Sequence, residues 1–96
     1  MTKPIEITIR KLSKQNCRPC AVLSYAMADI SGQLTQANAV VTEHDIEAEL
    51  ELIDKYGITG VPALIFERNG VEVARLNGMV SAAEILDAVE YAKVSR

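Results

Sequence analysis

Apolar and polar residues alternate from Ile5 to Ile9, with β-branched side chains at most positions, and this period of two predicts a strand over residues 5–9. Lys11 to Gln15 read as the connection that follows. The period then lengthens. Val22, Leu23, Ala26, Met27, Ile30 and Leu34 recur at helical spacing. They predict a helix with Asn16 as N-cap and Cys17 at its first position, its far end weakened by Gly32. Pro19 falls in the first turn, where the missing N–H has no helical partner to lose. Residues 38–44 read as a second strand. Ile46, Leu50, Ile53 and Tyr56 place a short helix at 47–56, and Gly57 suits its C-terminal stop. Residues 62–68 and 71–77 flank Asn69-Gly70, a strong signal for a type I′ hairpin. Ser81-Ala82-Ala83-Glu84 has the form of a capping box and opens a last helix with Ile85, Leu86, Val89 and Ala92 as its apolar stripe.

The order is therefore β-α-β-α-β-β-α, an α/β arrangement. A helix between the first two strands makes them parallel with a right-handed crossover, and the hairpin makes the last two antiparallel. The expected fold is a four-stranded mixed sheet flanked by three helices. The 96 residues, 49% of them hydrophobic, suffice for one domain spanning 1–96 with its own core. Tyr25, Tyr56 and Tyr91 read as half-buried core tyrosines.

A net charge of −3 argues against a nucleic-acid partner. The charge is uneven. Residues 1–20 carry Lys3, Arg10, Lys11, Lys14 and Arg18 against Glu6, whereas residues 21–60 carry seven acids against Lys55. No targeting segment is evident and no stretch reaches the length of a membrane span, so a cytoplasmic monomer without a membrane partner is the expectation.

The two cysteines, Cys17 and Cys20, stand three residues apart, just after a strand and at a helix start. That layout suits a dithiol redox centre, with both sulfurs on one face of the first turn and able to close a small disulfide ring. The helix N-terminus and Arg18 both favour thiolate at Cys17, the expected nucleophile. Cys20, one turn further in, is the expected resolving thiol. The competing readings are a pair of small buried hydrophobes and a metal site. Zinc takes four ligands, and this chain offers two cysteines and His44, itself read as a surface strand residue. A metal or iron–sulfur site would thus have to be shared between two chains. Lys11 and Lys14 either tune the thiolate and steer acidic partners or are solvated lysines at a strand end.

Cys17-Arg18-Pro19-Cys20, followed by Lys55-Tyr56-Gly57-Ile58-Thr59-Gly60-Val61-Pro62 and the Asn69-Gly70 hairpin, resembles the thioredoxin superfamily from residue 5 onward. By itself Pro62 reads as a trans proline beginning an edge strand. The resemblance implies instead a cis proline facing the redox pair, with the Val61 backbone open to an extended substrate segment. Gly60 and Gly78 are read as small either because substrate approaches there or for loop flexibility. The resemblance also implies a thiol–disulfide oxidoreductase that reduces protein disulfides without a bound cofactor, its electrons held in the Cys17–Cys20 pair. A thioredoxin-reductase-like flavoenzyme is the implied electron donor, with glutathione as the alternative; a non-catalytic binding module on the same fold is a third reading. The chain departs from thioredoxins in showing no additional strand and helix ahead of Ile5, no tryptophan before Cys17 and no acid between Glu6 and Cys17, where Lys11 or a neighbour takes the place of a buried aspartate. Its length and the run Ser13-Lys14-Gln15-Asn16 are more like a glutaredoxin, but Asn77-Gly78-Met79-Val80-Ser81 lacks the glutathione-binding signature of that branch.

Overall fold

The chain, seen in a computed structural model that describes residues 4–95, pairs each strand through the alternation read from its sequence. The elements are β1 (Ile7–Ser13), α1 (Arg18–Asp29), α2 (Ser31–Gln36), β2 (Ala39–Asp45), α3 (Glu51–Tyr56), β3 (Ala63–Arg68), β4 (Val71–Asn77) and α4 (Ala82–Val94). The sheet order is β2-β1-β3-β4, with β1 and β2 parallel and the other two pairings antiparallel. The expected four-stranded mixed sheet is present. Lys3, counted in the basic N-terminal segment, lies outside the described residues.

Side chains alternate across the sheet and build two apolar layers. Ile7, Ile9, Leu64 and Phe66 meet Leu23, Met27, Ile30 and Leu34 of the first helical segment and Ile85, Val89 and Ala92 of α4. Leu12, Ala63 and Ile65 meet Leu52 and Tyr56 of α3 on the other face. Full burial of one such aliphatic side chain contributes roughly 1.5–3 kcal/mol.

The hairpin and the last helix form as their residues dictate. Asn69 and Gly70 take φ of 55° and 78°, as a type I′ turn requires. The Ser81 hydroxyl accepts from Glu84 N–H, and the Glu84 carboxylate accepts from Ser81 N–H, both at 3.1 Å. Gly57 ends α3 in the left-handed region at φ 61°.

Other expectations need correction. Strand β1 runs to Ser13 rather than ending at Ile9, because Lys11, Leu12 and Ser13 find partners in Glu43, His44 and Asp45 of β2. The single helix expected through Leu34 breaks at Ile30 (φ −109°, ψ 14°), which adds a fourth helix, α2. Helical bonding resumes at once, Leu34 N–H donating to the Ile30 carbonyl, so both side chains stay in the core. Helix α3 begins at Glu51 and not near 47, because the Asp45 carboxylate caps Glu47 N–H and holds the intervening residues in a turn. Leu50 consequently faces solvent and Leu52 takes the buried place. Of the three tyrosines only Tyr56 is buried. Tyr25, at 75% exposure, falls between inward-facing Leu23 and Met27, and Tyr91 is likewise outward on α4.

Candidate active site

Strand β1 delivers the chain to a three-residue loop, 14–16, that ends in Asn16 at φ 56°, a left-handed conformation asparagine tolerates better than most residues. The turn shifts the helix register by one residue from expectation. Cys17, with extended backbone, is the N-cap, and Arg18 and Pro19 are the first helical positions. The Cys17 sulfur accepts from Cys20 N–H at 3.2 Å. The first sulfur therefore sits directly on the unsatisfied N–H groups of the helix start, where negative charge is favoured.

Cys17 and Cys20 are joined in a disulfide with Cα atoms 5.2 Å apart. Cys17 is half-buried and Cys20 is buried. An open cleft of about 650 Å³ lies over them, lined by Lys11, Ser13, Lys14, Asn16, Cys17, Arg18, Cys20, Ala21 and Ser24. Lys14 and Arg18 are exposed on its rim.

Lys11 is not a solvated strand-end lysine. It is 5% exposed, because β1 continues through it and its side chain points under α1. Its ammonium donates to the Ser24 hydroxyl and to Glu43 Oε1 at 3.1 Å. Ser24 in turn donates to the Cys20 carbonyl at 3.2 Å. A buried positive charge is thus tied by one hydroxyl to the helical turn that carries the second cysteine. Ser24 stands four residues after Cys20, so helical spacing could have found it. Glu43 enters only through the register Lys11↔Glu43 between β1 and β2, which no local pattern encodes.

Val61-Pro62 is a cis peptide, and Pro62 is fully buried. The Pro62 carbonyl accepts from Gly78 N–H at 2.8 Å, and Gly78 at φ 76° needs its lack of a side chain. Around Gly60 and Gly78 a Cβ would meet open space, so crowding is not why either is small. Neither Val61, Pro62 nor Gly78 lines the cysteine cleft. They lie at its end of the sheet, since Ala63, next to Pro62, pairs with Leu12 of β1 and with Asn77 of β4.

His44 lies on edge strand β2 as a half-buried residue, its side chain held by polar neighbours. Its ring is within 3.0 Å of Thr42 Oγ1, 3.3 Å of an Arg10 nitrogen and 3.2 Å of Glu49 Oε2, on the face of the sheet opposite Lys11. On that face Arg10 Nε donates to Glu67 Oε1 at 2.7 Å and the Tyr56 hydroxyl to Glu67 Oε2 at 2.8 Å. The hydrogen bond to Glu67 raises the Arg10 pKa, and burial, with Glu67 beside it, raises that of Tyr56. Among the described residues no helix is long and apolar enough to cross a membrane.

A family model described as a thioredoxin-like domain matches residues 8–93. A thioredoxin of Buchnera aphidicola subsp. Baizongia pistaciae (strain Bp) is 30% identical over 71 residues, which are 74% of this chain and 64% of that protein. The chain thus matches just under two thirds of that relative's length. The Fasciola hepatica thioredoxin structure superimposes with a TM-score of 0.81 at 19% identity, covering 94% of this chain and 84% of the other. A mutant thioredoxin from Halobacterium salinarum NRC-1 gives 0.80 at 22% identity, covering 95% and 79%. At these identities the two structures establish a shared fold.

Proposed function

The chain belongs to the thioredoxin-like domain family, and we propose on that footing that it is a thiol–disulfide oxidoreductase that reduces protein disulfides by dithiol exchange. The observation that carries this reading is the Cys17–Cys20 disulfide, with one sulfur at a helix N-terminus and the other buried behind it.

In the reduced protein the Cys17 thiolate attacks one sulfur of a substrate disulfide. A Cys17–substrate disulfide forms, and the other substrate sulfur leaves as thiolate and takes a proton from solvent. Cys20, on losing its proton, attacks the Cys17 sulfur. The second substrate thiol is released and the Cys17–Cys20 disulfide closes. Two electrons have passed to the substrate, and a thioredoxin-reductase-like flavoenzyme returns them, with glutathione as the alternative donor. Helix N–H groups, Arg18, Lys14 and buried Lys11 supply the positive surroundings that hold thiolate in this cycle. Val61, with Pro62 and Gly78 behind it, provides the backbone edge along which an extended substrate segment lies. The sulfur pair needs no bound cofactor, and the reading places the protein as a monomer in the reducing environment of the cytoplasm.

Cys17→Ser should abolish insulin reduction, and Cys20→Ser should accumulate a mixed disulfide visible by mass spectrometry. Wild-type turnover in Cys17→Ser would remove the reading. Turnover with thioredoxin reductase and NADPH, set against turnover with glutathione and glutathione reductase, identifies the donor.

A further inference from the structure

The cleft over the disulfide carries a charge pattern that would act on a docking partner as well as on the thiolate. Lys11, Lys14 and Arg18 line it, and no carboxylate does. Glu43, which takes up part of the Lys11 charge, is 67% exposed and lines the neighbouring hollow between α1, α2 and β2.

Most other cations of the protein are engaged. Among the described residues Arg10, Arg75 and Lys93 pair with Glu67, Glu72 and Glu6. Lys55 lies over the Tyr56 ring, and Arg68 donates to the carbonyls of Ala92 and Lys93. Among the described residues Lys14 and Arg18 alone have no such partner, and they line the cleft beside Cys17, the less buried of the two cysteines. Along the rest of the chain acidic residues outnumber basic ones. The net charge is −3, and Glu43, Asp45, Glu47, Glu49, Glu51 and Asp54 crowd one stretch of chain. An acidic partner would be repelled by that stretch and attracted at the cleft, an arrangement that steers encounter and suppresses misdirected approach.

We propose that the cleft selects disulfides flanked by acidic residues, that is, segments of partner proteins with Asp or Glu beside the reacting cysteine. The selection rests on the oxidoreductase reading and names the substrate class of the same site. Lys14 and Arg18 meet the flanking carboxylates while Cys17 attacks the sulfur between them, and Lys11 supplies a fixed charge beneath.

The test uses three peptide disulfides of equal length flanked by Glu, Gln or Lys. The full chain, reduced with dithiothreitol and desalted, is mixed with each and the exchange rate followed by stopped flow. At low ionic strength the Glu peptide should react about tenfold faster than the Lys peptide. The ratio should fall toward one near 1 M salt, where charges are screened beyond about 3 Å. The double variant Lys14→Glu, Arg18→Gln should reduce the ratio severalfold, and because the ratio is internal to each preparation it does not depend on how much of the variant folds. Equal rates for all three peptides at low salt, or a ratio unchanged in the double variant, overturn charge selection and leave the oxidoreductase reading standing. No exchange with any peptide overturns both.

Discussion

Arg10 and Lys11 are neighbours on β1 whose side chains go to opposite faces of the sheet, and each meets a glutamate. On the α3 face the arrangement is closed. Glu67 is 7% exposed, one oxygen accepts from Arg10 and the other from Tyr56, and the triad ties α3 to the sheet. On the α1 face it is open. The Lys11 glutamate is largely in solvent, and the second ligand of the ammonium is a hydroxyl that leads to the Cys20 carbonyl. A buried charge whose hydrogen bonds are all internal acts as a fastener. One that borders a cleft beside two sulfurs is placed to act on the charge that develops there.

The largest effect expected from this contrast is on stability at the closed cluster. Glu67→Ala strands the Arg10 guanidinium and the Tyr56 hydroxyl, and should cost about 3 kcal/mol, the low end for a broken buried pair, because the Arg10 side chain is 29% exposed. Thiol reactivity should be unchanged; a urea midpoint close to wild type would dissolve the contrast. Tyr56→Phe should cost about 1 kcal/mol through the lost hydrogen bond. It also carries a pH signature. The Tyr56 pKa is raised above its ordinary 10.0, so its contribution is complete below pH 10 and is lost as pH climbs through the raised folded value. Melts above pH 10 should show a steeper loss in wild type than in Tyr56→Phe, and parallel curves would contradict the assignment.

At the open cluster the effect should be chemical. Lys11→Met should shift stability by less than about 1 kcal/mol, since Glu43 is already hydrated, yet raise the apparent pKa of the cysteine pair by about half a unit to one unit. Iodoacetamide alkylation against pH reads this directly, and an unmoved profile would make Lys11 another fastener. The smallest effect calibrates the others. Glu72, beside the Arg75 guanidinium at 2.8 Å, has its pKa lowered by that hydrogen bond. Its contribution is present above the ordinary value of 4.5 and fades as pH falls through the lowered folded value. Glu72→Gln should remove that acid-side slope and cost only a few tenths of a kcal/mol, as for surface ion pairs. A loss as large as that of Glu67→Ala would show that position in the sheet does not govern these pairs.

The residues by themselves determined whatever depends on neighbours a few positions away. Asn69-Gly70 made the hairpin, Ser81 and Glu84 started α4, and Gly57 stopped α3. The cysteine spacing likewise made a short disulfide ring attainable, and the ring is present. Turn, cap and ring act through bonds and torsions within one turn of chain, so local identity is enough. Only the tertiary structure decided the length of β1, the inward course of Lys11 and the polar contacts of His44. These depend on which residue of a distant strand or helix lies opposite. Lys11 and Glu43 are 32 positions apart and meet because β1 and β2 pair in one register rather than the next. A slip of one residue would turn every side chain to the other face and take the charge from beneath the disulfide.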